Sequence, residues 1–254
     1  MNLSGHAAVV TGGASGMGAE TARALIRAGA RVSVMDVLAE QLRQVAEDTG
    51  ALAVACDVTS AESAVSAVAA AKQAHGAARV LVNCAGVAPA KRIVGRDGPM
   101  PLEDFKRVID INLVGSFNML RLVAADLYAE EALDENGERG VIINTASVAA
   151  YEGQIGQAAY CASKGGIVAL TLQAARDLSG KGIRVVTIAP GFIATPMLLG
   201  MPEEVRQSLA AQAPFPKRFG RPDEFSKLAM HIIDNQMING EVIRLDGAAR
   251  MQAR

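Results

Sequence analysis

The chain has 254 residues, half of them apolar, with 25 glycines and 25 basic residues against 26 acidic ones. That length suits one large domain with a substantial core, and the near-zero charge carries no basic stripe that would advertise nucleic acid or a membrane surface. Cys56, Cys84 and Cys161 are scattered and odd in number, which argues for a reducing compartment, and neither they nor His6, His75 and His231 have metal-ligand spacing. Residues 1–5 lead into a strand without a secretory apolar region, and no apolar run reaches the ~18 residues of a membrane span, so a cytoplasmic protein without a metal is expected.

Ala7-Ala8-Val9-Val10 reads as a short buried strand, and Thr11-Gly12-Gly13-Ala14-Ser15-Gly16-Met17-Gly18 then opens a helix running to Ala28. An isolated glycine pattern is weak. In this strand, turn and helix context it predicts that Gly12, Ser15, Gly16, Met17 and Gly18 bring backbone and a helix N-terminus to a pyrophosphate. The next strand, Arg31 to Met35, ends at Asp36, whose carboxylate can accept from an adenosine ribose and repels a 2'-phosphate, favouring NAD over NADP. After a helix over 38–49 and a strand over 51–56, Asp57-Val58 stands at another strand end. There Asp57 caps the helix beginning near Ser60, helps define the adenine pocket with Val58, or does both. An alanine-rich helix, 63–75, leads to the strand 78–82 and to Asn83-Cys84-Ala85-Gly86, where small residues at Ala85 and Gly86 let backbone lie close to a dinucleotide. This alternation predicts a single α/β domain over 1–254, a Rossmann doubly wound parallel sheet with helices on both faces.

Between Val87 and Pro101 the rhythm breaks. Lys91, Arg92 and Arg96 sit in an excursion longer than an ordinary connection, where they either meet phosphates of a bulky substrate or decorate a solvated loop. Residues 102–132 read as one long helical region, with Asn112 in its apolar stripe, either locking helix packing or holding a group beside a site. Then Val141 to Ser147 reads as a strand ending in hydroxyls, followed by Tyr160 and, four residues on, Lys164. On a helix that spacing puts phenol and ammonium on one face, where the charge favours the phenolate and Ser147 can donate a hydrogen bond. The three together are acid/base equipment for a carbonyl or an alcohol. A strand over 184–189 delivers Pro190-Gly191, the segment 192–222 with its Met and Leu residues at 197–201 reads as a cover with a short helix over 203–213, and 240–245 supplies a last strand.

The glycine turn, Asn83 to Gly86, Asn112, Ser147 and Tyr160-Cys161-Ala162-Ser163-Lys164 together resemble the short-chain dehydrogenase/reductase family over nearly the whole chain. Cys84 departs from the family's usual asparagine or alanine without touching a catalytic group. Residues 140–150, Glu152-Gly153-Gln154, 174–178, 187–191 and 239–248 are similar to its type 2 3-hydroxyacyl-CoA dehydrogenase branch, whose insertion falls at 87–101, and the likeness is to a bacterial, cytoplasmic relative. The resemblance implies a dimeric or homotetrameric NAD enzyme that acts on a (3S)-3-hydroxyacyl-CoA/3-oxoacyl-CoA pair. It implies Tyr160 as proton-transfer group, Lys164 lowering the pKa of Tyr160 and holding the nicotinamide ribose, Ser147 on the substrate oxygen, and Asn112 supporting Lys164 through a water. It also places Asn83, Pro190, Gly191, Ile193 and Thr195 around the cofactor, with Gln154 beside Ser147 and Tyr160 at the substrate. A 3-oxoacyl-carrier-protein reductase is the second enzyme reading, disfavoured by Asp36; steroid or other secondary-alcohol oxidation is a third. An NAD-binding interaction protein in nucleic-acid processing is the alternative of another class.

Overall fold

Short runs of valine, isoleucine and alanine form strands buried on both faces, and alanine-rich amphipathic stretches form the helices that cover them. The computed structural model describes residues 1–200 and 202–253. Its first half runs β1 (Ala7–Thr11), α1 (Gly16–Arg27), β2 (Arg31–Asp36), α2 (Ala39–Thr49), β3 (Leu52–Ala55), α3 (Ala61–His75) and β4 (Ala78–Asn83). A small antiparallel pair, β5 (Val94–Gly95) and β6 (Gly98–Pro99), precedes α4 (Leu102–Ile109), a π turn (Asp110–Val114) and α5 (Gly115–Tyr128). Next come β7 (Gly140–Thr145), a 3-10 turn (Val148–Ala150), α6 (Ala158–Ser179) and β8 (Ile183–Pro190). The chain finishes with α7 (Pro196–Leu199), α8 (Glu203–Ala211), α9 (Pro222–Asp234) and β9 (Val242–Leu245).

The seven long strands pair in parallel in the order β3-β2-β1-β4-β7-β8-β9. The chain winds outward from β1 in one direction and from β4 in the other, so the crevice lies between the carboxyl ends of β1 and β4. Successive residues of one strand point into opposite cores. Val10, Val34, Val82, Ile143 and Val186 face α1 and α9, whereas Val9, Met35, Leu81, Ile142 and Val185 face α3, α5 and α6. Each such side chain contributes about 1.5–3 kcal/mol by leaving water.

Three expectations need correction. The helical region over 102–132 is broken by the π turn, with Asn112 at its centre, and ends at Tyr128. The α3 helix starts at Ala61 and is capped by Ser60, whose Oγ accepts from Ser63 N at 3.2 Å. Asp57 instead closes the preceding turn, accepting from Thr59 N at 2.9 Å and Thr59 Oγ1 at 2.7 Å. The excursion after β4 contains the β5/β6 hairpin, and its entry is fixed by Lys91 N donating to Gly156 O at 2.7 Å.

Candidate active site

The strand register carries one row of polar residues across the sheet just below the crevice. Thr11 aligns with Asn83, Asn83 with Asn144, and Asn144 with Thr187. Thr11 Oγ1 donates to Asn83 Oδ1 at 3.3 Å, and Asn83 Nδ2 donates to Asn144 Oδ1 at 2.9 Å and to Ser116 O at 3.2 Å. These buried bonds lock the switch point from beneath. They also commit the side chain of Asn83 to the interior, so that at Asn83 it is the backbone that faces the cofactor cleft.

Above that row the glycine turn closes on β4. Gly12 has φ +64°, and a Cβ there would lie 2.6 Å from Ala85 N and 2.7 Å from the Cys84 carbonyl carbon. Only glycine lets the two crevice walls meet this closely. Ser15 stands at the N-cap position of α1 but its hydroxyl caps nothing, and the first-turn N–H groups of Gly16, Met17 and Gly18 lack helix acceptors by geometry. An exposed hydroxyl beside a helix N-terminus suits a pyrophosphate. Thr195 lies across from this turn, its Cγ2 3.1 Å from where a Gly16 Cβ would be, with its own hydroxyl also uncommitted to its helix. At the end of β2, Asp36 Oδ2 accepts from Ala14 N at 3.2 Å and Oδ1 from Leu38 N at 3.0 Å. A carboxylate has about four acceptor sites, so Asp36 holds the turn and keeps lone pairs for ribose hydroxyls. Val58 packs on the other side, buried against Gly115.

The chemistry converges past β7. Tyr160 lies in the first turn of α6 and Lys164 one turn later, its Nζ 5.9 Å from the centre of the Tyr160 ring. Lys164 is buried, donates to Thr145 O at 2.7 Å and has two further protons to give. Burial pulls its ammonium down to about 8, against a partial rise from nearby Cys84. The Tyr160 phenol is pushed above its ordinary value by burial, and a bond from Ser147 opposes the rise. Burial of the phenol thus works against the expected lowering of Tyr160 by the Lys164 charge. Ser147 accepts from Ala149 N at 3.1 Å, which occupies a lone pair and leaves its O–H for donation, to the Tyr160 oxygen or in its place to a substrate oxygen. Cys84 is no nucleophile: burial raises its thiol to about 11.

Asn112 stands beside this group, tied to it by its side chain. Its Oδ1 accepts from Val87 N at 2.8 Å, and its Nδ2 donates to Val87 O at 2.9 Å and to Ser163 Oγ at 3.0 Å. A Cβ on Gly86 would approach Asn112 Oδ1 at 3.1 Å and Lys164 Nζ at 3.7 Å. Asn112 thus pins the strand-end backbone and α6 together, and its side chain meets Ser163, the residue before Lys164. Gln154, expected at the substrate, donates from Nε2 to Gln252 O at 3.2 Å. On the far side, Gly191 N donates to Leu245 O at 3.0 Å, holding Pro190-Gly191 against the end of β9. Buried Ile193 pairs with Gly220, closing the base of the covering segment 192–222; Met201 lies outside the described residues. In the excursion, Lys91 is paired with Asp104, and Arg92 and Arg96 are exposed.

Residues 6–205 match the family model described as short chain dehydrogenase. The chain belongs to the short-chain dehydrogenase family. It is 51% identical to 3-hydroxyacyl-CoA dehydrogenase type-2 of Rattus norvegicus, over 99% of this chain and 97% of that one. A crystal structure of 3-hydroxyacyl-CoA dehydrogenase type-2 from Mycobacterium avium superposes with a TM-score of 0.92 at 48% identity, covering 98% of both chains. A 7α-hydroxysteroid dehydrogenase complexed with NADH and 7-oxo glycochenodeoxycholic acid superposes with a TM-score of 0.87 at 30% identity, covering 100% of this chain and 97% of that one.

In this short-chain dehydrogenase the sequence pattern missed Thr145, whose carbonyl orients Lys164, and the pair Val87 and Ser163 that Asn112 ties together. Backbone acceptors carry no residue signature. The run of hydroxyls at Thr145 and Ser147 was the available signal, and it pointed to Ser147 alone.

Proposed function

We propose that this short-chain dehydrogenase moves a hydride between NAD(H) and a (3S)-3-hydroxyacyl-CoA/3-oxoacyl-CoA pair. The observation that carries the reaction type is the convergence of Ser147, Tyr160 and Lys164 beside the Gly12–Gly18 turn at the sheet's switch point. Full-length similarity to 3-hydroxyacyl-CoA dehydrogenases supports the acyl-CoA substrate. The residues present fit NAD: Gly12 and Gly16 leave room, Ser15 and the α1 N-terminus suit the pyrophosphate, and Asp36 suits ribose hydroxyls and opposes a 2'-phosphate. Bound NAD supplies the site where hydride is taken up or given back.

For reduction, Ser147 donates its O–H to the substrate carbonyl and holds that oxygen where negative charge grows. Tyr160, a neutral phenol held up by burial, gives its proton to the same oxygen. In oxidation Tyr160 takes the hydroxyl proton back. Lys164, with two donors left over from its Thr145 bond, suits ribose hydroxyls and places positive charge near the phenolate that reduction leaves behind. Asn112 fixes the Val87 backbone that walls the site.

The same reading includes a homotetramer in the cytoplasm. An open groove of about 480 Å³ on the outer face of α5 and α6, with half-exposed Phe117 and Tyr128 at its rim, supports self-association, and unpaired cysteines support a reducing compartment.

The test follows reduced-nicotinamide absorbance with acetoacetyl-CoA. Rapid NADH loss is expected, with little from NADPH, and Tyr160→Phe is expected to slow turnover about 10³-fold with unchanged melting temperature and NADH binding. Preferential use of NADPH with the acyl group on carrier protein would transfer the chain to the reductase reading. Tight NADH binding without turnover of any carbonyl would favour the interaction protein.

A further inference from the structure

A cluster of four charges lies just outside the catalytic group and joins chain segments about ninety residues apart. Glu152 follows the 3-10 turn that Ser147 begins and precedes Tyr160 by eight positions. Its Oε1 accepts from Arg244 at 2.8 Å, its Oε2 accepts from Arg244 at 3.2 Å and from Met251 N at 3.0 Å, and Arg250 Nε stands 3.4 Å from Oε1. Arg244 also donates to Asp246 Oδ2 at 2.7 Å and to Ala249 O at 3.1 Å, and its guanidinium lies 5.3 Å from the Tyr151 ring centre. Arg250 completes the set by donating to Asp246 Oδ2 at 3.2 Å.

These contacts strap residues 251–253 onto the loop over 151–157. Ile155 N donates to Ala253 O at 3.0 Å, alongside the Gln154 bond to Gln252. The same loop is bonded into both catalytic elements. Glu152 N donates to Val148 O at 3.0 Å within the turn that Ser147 caps, and Cys161 N donates to Gln157 O at 2.8 Å at the start of α6. The cluster reaches the other wall as well, since a Cβ on Gly191 would come 2.8 Å from Asp246 Cβ. Arg244 and Glu152 are each only about a quarter exposed or less, and Asp246 is 8% exposed, so the pairs are shielded more than surface ion pairs are. The Arg244 bond holds Glu152 as a carboxylate, its pKa below the ordinary value mainly through that bond and against an opposing rise from burial.

We infer that Glu152 and Arg244 are positioning residues: with segment 251–253 they clamp the 151–157 loop as a wall for the substrate beside Ser147 and Tyr160. The inference rests on the proposed reaction at that site for its kinetic consequence and on hydrogen bonds alone for its structural one. Loss of the Glu152 carboxylate leaves Arg244 and Met251 N without this acceptor and releases the loop from the strap. A loosened wall lowers the fraction of chains ready to bind substrate, which raises KM, while the glycine turn that suits NAD is untouched.

The experiment compares wild type, Glu152→Ala, Glu152→Gln and a chain stopped after Arg250. Amide hydrogen exchange over 151–157, NADH binding, melting temperature and steady-state kinetics with acetoacetyl-CoA are measured on each. Expected are faster exchange over 151–157 in the alanine and shortened chains and KM for acetoacetyl-CoA raised about tenfold, with kcat and the NADH dissociation constant within about twofold of wild type. Glu152→Gln, which keeps an acceptor for Met251 N and Arg244, is expected to recover part of the KM. Unchanged exchange over 151–157 overturns the clamp. So does unchanged KM, or a kcat that falls in step with the folded fraction, which would reduce the cluster to a structural support. Failure of wild type itself to turn over acetoacetyl-CoA sinks the substrate reading instead, and the exchange data then decide the clamp alone.

Discussion

Lys164 illustrates how a single side chain trades stability for chemistry. Its ammonium is 4% exposed, bonded to Thr145 O, and pulled from an ordinary 10.5 to about 8 by burial. That gap works against folding by about 3 kcal/mol at neutral pH, since the unfolded chain holds the proton more tightly. The unfolded state binds the extra proton between pH about 8 and 10.5, so this group makes the fold more stable as pH rises through that window and contributes its full penalty below it. Lys164→Met is expected to raise stability at pH 7 by about 1–2 kcal/mol, part of the gain being offset by the unpaired Thr145 carbonyl, and to abolish turnover. Urea midpoints at pH 7 and 9.5 check it: the wild type gains on the mutant as pH rises, and equal pH slopes for the two proteins would contradict the burial of a charged lysine.

At the scale of elements, glycine positions divide into those that build the cleft and those that only occupy a helix. A Cβ on Gly18 would lie 2.2 Å from Gly12 O, backbone against backbone, with no flexible side chain able to yield. Gly18→Ala is expected to force α1 off the turn and lose NADH binding at least 100-fold, roughly the cost of misplacing a phosphate cradle. Gly165, inside α6 and next to Lys164, has nothing within 4 Å of an added Cβ. Gly165→Ala is therefore expected to stabilise the fold by about 0.5–1 kcal/mol with NADH binding intact. Fluorescence titration with NADH and thermal melts on both variants separate the two kinds of glycine; equal behaviour would refute the close approach at Gly18. The glycine turn, Asp36, Ser147, Tyr160 and Lys164 were legible because each sits at a strand end or at helical spacing, where type and position carry the role together. The π turn at Asn112 was not, because inserting one residue into a helix alters neither apolar content nor propensity. The bond from Gln154 to Gln252 was not legible for a related reason: its partner is 98 positions away, and a backbone acceptor leaves no mark in the sequence.

Across the whole molecule, chemistry and stability occupy opposite ends of the sheet. The carboxyl ends of the strands hold the site, and the amino end of β8 holds Arg184, 6% exposed and bonded to Glu138 Oε1 at 2.8 Å. Its remaining N–H groups donate to Ile232 O at 2.8 Å, Ile233 O at 3.0 Å and Ile238 O at 2.9 Å, the carbonyls at and just beyond the end of α9. A cation there satisfies orphaned helix carbonyls and complements the negative end of the helix dipole. The Met1 amine joins the same cluster, donating to Ile233 O at 3.3 Å and lying 4.0 Å from Glu138. Since α9 packs along α1, this cap also seats the helix that faces the pyrophosphate turn from behind. Arg184→Met leaves Glu138 charged, buried and short of its main partner while freeing several carbonyls, so a loss of about 3–5 kcal/mol is expected, on the order of 10 °C in melting temperature for a chain of this size. The double variant Glu138→Gln, Arg184→Met is expected to recover part of that loss, because the stranded charge is gone. Below the melting transition kcat and KM of the single variant are expected to match wild type, since no atom of the cluster lies at the carboxyl ends of the strands. A fall in kcat at full foldedness would mean that the two ends of the sheet are mechanically coupled through α9 and α1.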